Sequence, residues 1–204
     1  MSAGKRVGVK EVEFFYDIVC PYAYLGATQV ESIASRHEAR VVWKPFLLGG
    51  VFRAIGSADN QMSVMSPGKL NHNRLDMHRW AEHFGVELNF PSAHPRRTVL
   101  ALRALLAAGE ESRVEATMAL YRAYWSENRD IVDPLVVAEV LTDAGIDGDR
   151  CVELASSDLI KLDLRQRTDE AIERGVFGAP AFFVGEQMFW GQDRLDFVER
   201  ALAS

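Results

Sequence analysis

The chain has 204 residues, of which 48% are apolar and 25% charged, with a net charge of −6. That is room for one good core, or a core with a sizeable insertion, and the make-up of an ordinary globular protein. The acidic balance argues against a nucleic-acid binder, no apolar stretch approaches a membrane span, and Met1–Lys10 lacks the apolar centre of a signal peptide.

The apolar run Val12–Tyr16 predicts a short buried strand. It runs into Cys20-Pro21, and the proline, pre-shaped for a first helical turn, opens a helix reaching to about His37 with Leu25, Ile33 and Ala34 on its apolar side. Arg40–Phe46, β-branched and aromatic and closed by Pro45, reads as a second strand. Together they make a βαβ unit with a parallel pair and a right-handed crossover. Gly49-Gly50 ends that unit.

From about Ser66 the texture is helical. Pro67-Gly68 opens a helix carrying Leu75, Met77, Trp80 and Phe84, and Gly85 stops it. Pro95 opens another over Arg96–Ala108, and Glu111–Ser126 is a third. Asp133-Pro134 and Ser157-Asp158 have the form of helix starts, and those helices run to Ala144-Gly145 and about Arg174. Strand texture returns at Ala181–Val184 and Gln187–Trp190, joined by the two-residue turn Gly185-Glu186. Asp193–Ala203 is a terminal helix. The order βαβ, helices, ββα predicts a thioredoxin-like fold, residues 1–65 and 172–204, interrupted by an all-helical insertion, residues 66–171.

Cys20 is the first candidate for chemistry. A lone cysteine is commonly a small buried hydrophobe. At a strand end, before Pro21 and a helix N-terminus, it faces free N–H groups that favour thiolate, so a lowered pKa is expected. Ala23 stands where the second cysteine of a thioredoxin-type Cys-Pro-x-Cys site would be, which excludes a two-residue-spaced disulfide. Ala179-Pro180, just before a strand, is either a turn proline or a cis-proline presenting the Ala179 backbone to an extended ligand. Gln192-Asp193 is either an ordinary helix cap or a grip for an ammonium group. Arg96-Arg97 near a helix start is electrostatically odd, and either an anionic ligand or a salt bridge explains it. Cys151 reads as a structural thiol, and the five histidines show no metal-ligand spacing with the cysteines, so no metal is expected. Two cysteines in unlike settings are no disulfide framework, which suits a reducing, cytoplasmic location.

Several blocks together resemble the 2-hydroxychromene-2-carboxylate isomerases and kappa-class glutathione transferases of the DsbA-like group. They are Phe15-Tyr16-Asp17 through Pro21-Tyr22-x-Tyr24-Leu25, Pro45-Phe46-x-Leu48-Gly49-Gly50, Asp76-x-x-Arg79-Trp80-Ala81, and Gly175–Pro180 through Arg194-Leu195. The resemblance spans nearly the whole chain and implies a glutathione site. Cys20 then stands where the family has a serine that hydrogen-bonds the glutathione sulfur. Asn60 and Lys69 match the residues holding the tripeptide, Ala179 before Pro180 the one pairing with its cysteinyl backbone, and Gln192-Asp193 the grip on its γ-glutamyl end. Tyr22, Arg96 and Arg97 fall on the substrate side. His94-Pro95-Arg96-Arg97-Thr98 departs from the family segment Phe-Pro-x-Asn-Thr, with Arg97 in place of the asparagine. The implied activity is glutathione-dependent isomerisation of an unsaturated aromatic acid. A monothiol thiol–disulfide oxidoreductase, a kappa-like transferase and a non-catalytic thioredoxin-like module are the alternatives, and a homodimer is left open.

Overall fold

Glu11–Tyr16 forms strand β1, with Val12, Phe14, Phe15 and Tyr16 buried. The structure is a computed structural model describing residues 9–58 and 60–204, so most of Met1–Lys10 lies outside the described residues. β1 pairs in parallel with β2 (Arg40–Pro45) and antiparallel with β3 (Ala181–Val184), which turns through Gly185-Glu186 into β4 (Gln187–Trp190). The strand order β2-β1-β3-β4 is the mixed sheet of a thioredoxin-like fold, as the order of elements predicts.

Helix α1 (Pro21–Arg36) joins β1 to β2. Between β2 and β3 come α2 (Leu48–Ala54), a 3-10 turn (Gln61–Val64), α3 (Pro67–Phe84), α4 (Val99–Ala107), α5 (Arg113–Trp125), α6 (Pro134–Asp143), α7 (Gly148–Leu154) and α8 (Asp158–Glu173). A second 3-10 turn (Gln192–Arg194) and α9 (Leu195–Ala203) follow β4.

The two faces of the sheet are covered differently. On one, Phe14 stacks on Phe182 at 5.1 Å and meets Trp43 edge-on, and the rings continue through Tyr16 and Tyr121 to Tyr24 of α1. Gly26 lets α1 lie close there: a Cβ at that position would meet Phe182 at 3.1 Å and Pro180 at 3.6 Å. On the other face α8 brings charge. Arg174 sits 3.9 Å over the Phe183 ring and bonds Glu13 at 2.6 Å, while Lys44 bonds Glu170 at 2.8 Å.

α1 begins without a side-chain cap, since Cys20 bonds none of its first turn. A missing cap costs about 1 kcal/mol, whereas burying each of Leu25, Val30 and Ile33 contributes about 1.5–3 kcal/mol. Burial therefore forms this helix, and its first N–H groups stay available beside the sulfur.

Three sequence expectations change. Gly49-Gly50 does not end the βαβ unit but lies inside α2. Its weak helix formers are held from outside: the Leu48 N–H donates to Asp17 at 2.9 Å and the Leu47 N–H to Thr168 at 3.0 Å. A short helix, α7, follows the Asp147 cap that accepts from the Arg150 N–H, and it carries the buried Cys151. The helix expected from Pro95 starts only at Val99, because residues 94–98 form a loop with a cis His94–Pro95 peptide. Of the apolar residues named for the helix from Pro67, Leu75 is exposed and Met77 is buried.

Candidate functional site

The turn that carries Cys20 is pinned from below. The Cys20 N–H donates to the Asp17 carbonyl at 3.1 Å. The Tyr121 hydroxyl donates to that carbonyl at 3.2 Å, and the Trp125 indole N–H to the Ile18 carbonyl at 2.8 Å. The Asp17 side chain is fully buried and accepts from the backbone N–H groups of Val19 and Leu48 and from Thr98. Burial outweighs these bonds and pushes its pKa up to about 6. Asp17 thus ties the end of β1 to the starts of α2 and α4, a role the sequence reading did not assign. An acidic residue at a strand end, directly after Phe14-Phe15-Tyr16 and before Ile18-Val19, was the signal for it.

Cys20 is 8% exposed and donates its S–H to the Ala179 carbonyl at 3.0 Å. The expected lowering of its pKa does not occur. Burial pushes the thiol up to about 12, and the Asp17 charge adds to the rise. The N–H groups of Ala23 and Tyr22 pull the other way, as the helix-terminus argument requires, and lose to desolvation.

The Ala179–Pro180 peptide is cis. The Gly191 N–H donates to the Pro180 carbonyl at 3.0 Å, so the Gln192–Asp193 turn follows directly from the β3–β4 pairing beside the proline. Gln192 is buried, and Asp193 pairs with Arg194 at 3.0 Å. Both line a cleft of about 250 Å³ together with Gln29 of α1 and Trp80 and Phe84 of α3. Tyr22 donates to Asp76 at 3.3 Å, and its phenol is raised by burial first, then by the charges of Asp76, Cys20 and Asp193. Cys20, Ala179, Pro180, Tyr22, Gln192 and Asp193 therefore share one end of the sheet.

The remaining candidates are less tightly joined to it. Asn60 caps the first 3-10 turn through Met62, and Lys69 is exposed in the first turn of α3; neither bonds the Cys20 group. Arg96 is committed to a two-pronged ion pair with Asp130, so the salt-bridge explanation holds for it. Arg97 is exposed, with no ion pair or side-chain hydrogen bond among the described residues. A larger groove, about 440 Å³ along Tyr24, Thr28, Met118 and Arg122, contains none of the candidates and does not bear on the chemistry.

A four-stranded mixed sheet with a cysteine opening α1 and a cis-proline beside it defines a class, and the chain belongs to the DSBA-like thioredoxin domain family, which it matches over residues 11–203. Within that class it is 30% identical over 193 residues to 2-hydroxychromene-2-carboxylate isomerase of Sphingobium xenophagum, covering 95% of this chain and 98% of that one. It is 28% identical over 209 residues to glutathione S-transferase kappa 2 of Caenorhabditis elegans, covering 95% and 92%. A solved structure of 2-hydroxychromene-2-carboxylate isomerase superposes with a TM-score of 0.85 at 27% identity, covering 95% of this chain and 94% of that one. These are the groups the sequence blocks resemble.

Proposed function

We propose that the chain is a glutathione-dependent isomerase acting on an unsaturated aromatic acid of the 2-hydroxychromene-2-carboxylate type. The observation that carries this reading is the state of Cys20: a buried thiol giving its hydrogen to Ala179, with Ala23 where a resolving cysteine would stand. A thiol held protonated is a poor attacker of disulfides, because the thiolate is the reactive form. The same S–H is a suitable donor to an anionic sulfur placed beside it. Similarity over nearly the whole chain to isomerases, and to kappa-class glutathione S-transferases, supports the same direction.

The chain's own groups fit a tripeptide thiol. Ala179 has a backbone N–H with no acceptor among the described residues, next to a carbonyl that takes only the Cys20 hydrogen, so main-chain pairing is open there. Asp193 and Gln192 suit an ammonium end, Lys69 a carboxylate, and the Asn60 amide N–H₂ has no acceptor among the described residues. Glutathione, when bound, supplies the sulfur that adds to the conjugated double bond and leaves again, allowing rotation in between. Cys20 and the first-turn N–H groups of α1 hold the charge on that sulfur. Arg97, unpaired among the described residues, is available to the substrate carboxylate, whereas Arg96 is taken by Asp130. The setting proposed is the reducing cytoplasm, where glutathione is kept as the thiol.

Thermal unfolding with millimolar glutathione tests the binding, because a ligand of the native state raises its stability. Lys69→Ala and Asp193→Ala should shrink the shift without unfolding the protein. Turnover of 2-hydroxychromene-2-carboxylate should require glutathione and return it free. Glutathione retained in the product would make the chain a transferase, disulfide exchange alone an oxidoreductase, and no shift at all would remove the glutathione reading.

A further inference from the structure

A 2-hydroxychromene-2-carboxylate carries a hydroxyl and the ring oxygen on one carbon, so the closed ring has no carbonyl conjugated with its ring double bond. The ring must open before a thiolate can add. Opening takes a proton from the hydroxyl and delivers one to the ring oxygen, and the sulfur groups around Cys20 do neither.

Tyr22 and Asp76 stand at the same end of the sheet. Tyr22, in the first turn of α1, donates its hydroxyl hydrogen to Asp76 Oδ2 of α3 at 3.3 Å. Among the described residues Asp76 has no ion pair, and this phenol is its one side-chain hydrogen bond. The helix faces that carry the pair lead into the cleft of about 250 Å³. Gln29 lies two turns beyond Tyr22 on α1, Trp80 lies one turn beyond Asp76 on α3, and both line that cleft with Gln192 and Asp193. The pair therefore continues two cleft-lining rows toward Cys20. The Tyr22 N–H is one of the two that face the Cys20 sulfur, and the phenol feels the charges of both Cys20 and Asp193.

Burial, reinforced by the Asp76 charge, raises the phenol above its ordinary value, so it rests with its hydrogen on. That hydrogen is committed to Asp76, and the oxygen offers a ligand its lone pairs. Such a hydroxyl takes a proton on one side as it hands its own over on the other, and never becomes a phenolate.

We propose that Tyr22 and Asp76 form a proton relay that opens the chromene ring, Tyr22 Oη taking the hydroxyl proton of the substrate as its own hydrogen passes to Asp76. This rests on the isomerase reading and supplies the step before its thiol addition. The hydroxyl O–H bond breaks and its electron pair becomes the carbonyl π bond. The bond from that carbon to the ring oxygen breaks, and its pair stays on the oxygen. The two oxygens share one carbon, so the same phenol serves both: Asp76 returns the hydrogen through Tyr22 to the ring oxygen, and no proton is gained or lost. The double bond is then conjugated with a carbonyl and open to the thiolate. Tyr22 is the catalytic residue, and Asp76, acting through it, is a positioning residue.

Kinetics on two substrates test this: the hydroxychromene acid, and the ortho-methoxy analogue of its ring-opened acid, which cannot close and has no use for the relay. Tyr22→Phe should lower kcat roughly hundredfold on the chromene and less than about threefold on the open analogue, with the glutathione-induced thermal shift unchanged. Asp76→Asn, which still accepts from the phenol but takes no proton, should lower kcat on the chromene about tenfold or more, and Asp76→Glu should recover most of it. A folded Tyr22→Phe within about threefold of the wild type on the chromene, or equal losses on both substrates, would overturn the relay while leaving isomerisation intact. A wild type inert toward the open analogue alone would overturn it too, because rotation would then not pass through the ring-opened acid. A wild type that binds glutathione but isomerises neither compound would overturn the underlying reading, and the relay with it.

Discussion

The Cys20 turn has two walls of different construction. One is the thioredoxin-like side: the start of α1, the Ala179–Pro180 peptide and the Gln192–Asp193 turn. It offers mostly main-chain groups, positioned by strand pairing and by a helix formed through burial. The other is the helical side, where the 94–98 loop and α5 present side chains such as His94, Tyr124 and Thr98. Main-chain groups recognise what every peptide has, so that wall suits an invariant partner. Side chains recognise particular shapes and charges, so the second wall is where this chain sets itself apart from proteins of the same fold.

Trp125 is where the walls join, because it holds the Ile18 carbonyl and also supports His94. Trp125→Ala should cost about 3–5 kcal/mol, the range for emptying a buried aromatic site. It should also abolish the glutathione-induced thermal shift, since both walls lose their common support. Urea unfolding gives the first number and scanning fluorimetry the second; a variant that keeps the shift would show the walls to be independent.

Asp17 tests the coupling through charge. Its pKa is about 6 in the folded protein against 3.8 ordinarily. Between those values the folded state binds more protons than the unfolded one, so this group's contribution to stability declines as pH rises from about 4 to 6. Two pK units correspond to about 3 kcal/mol. His94 has the opposite sign over the same window, its folded pKa being lowered to about 4. The useful quantity is therefore the difference between wild type and Asp17→Asn. From pH 4 to pH 7 that difference should move by about 3 kcal/mol against the wild type, measured by chemical denaturation. Parallel pH profiles would contradict the buried, hydrogen-bonded acid.

A smaller effect separates the two arginines. Arg97→Leu should raise KM for an acidic substrate roughly tenfold to hundredfold, the value of about 1.5–3 kcal/mol for a hydrogen bond to a charged group. Arg96→Leu should act mainly on stability, because its partner is Asp130. Equal effects on KM would blur the distinction drawn between them.

The smallest effect is expected at Cys20 itself. Cys20→Ser keeps a donor for a neighbouring sulfur anion, so glutathione-dependent isomerisation should stay within about tenfold of wild type. Any disulfide exchange by the wild type should vanish, since a serine hydroxyl without a base is a poor nucleophile. A folded, glutathione-binding serine variant that no longer isomerises would mean that the sulfur itself reacts.

The first wall was legible in the sequence because its signals are local. A strand running into Cys20-Pro21, a proline before Ala181–Val184, and a two-residue turn each report their own backbone. The second wall was not, because tertiary contacts make it. Pro95 reads as a helix opener until Arg96 turns to Asp130 and Thr98 to Asp17. Gly49-Gly50 reads as a stop until Asp17 and Thr168 take the N–H groups that start α2. Gly50 also leaves room for α8, where a Cβ would stand 2.9 Å from Thr168. The thiol pKa failed for a related reason: a helix terminus is visible in sequence, but the depth at which it is buried is not.

Gly26 gauges a gap. The 3.0 Å contact between Cys20 and Ala179 joins two pieces of backbone, the start of α1 and the peptide before Pro180. Those same pieces touch again at Gly26, where only a hydrogen separates α1 from Phe182 and Pro180. The width of the slot proposed for the glutathione sulfur thus rests, like a bearing on its shim, on a residue that never meets sulfur. Its contribution is the volume it leaves empty, so the fineness of the reactive end depends on a fit made deep in the aromatic packing.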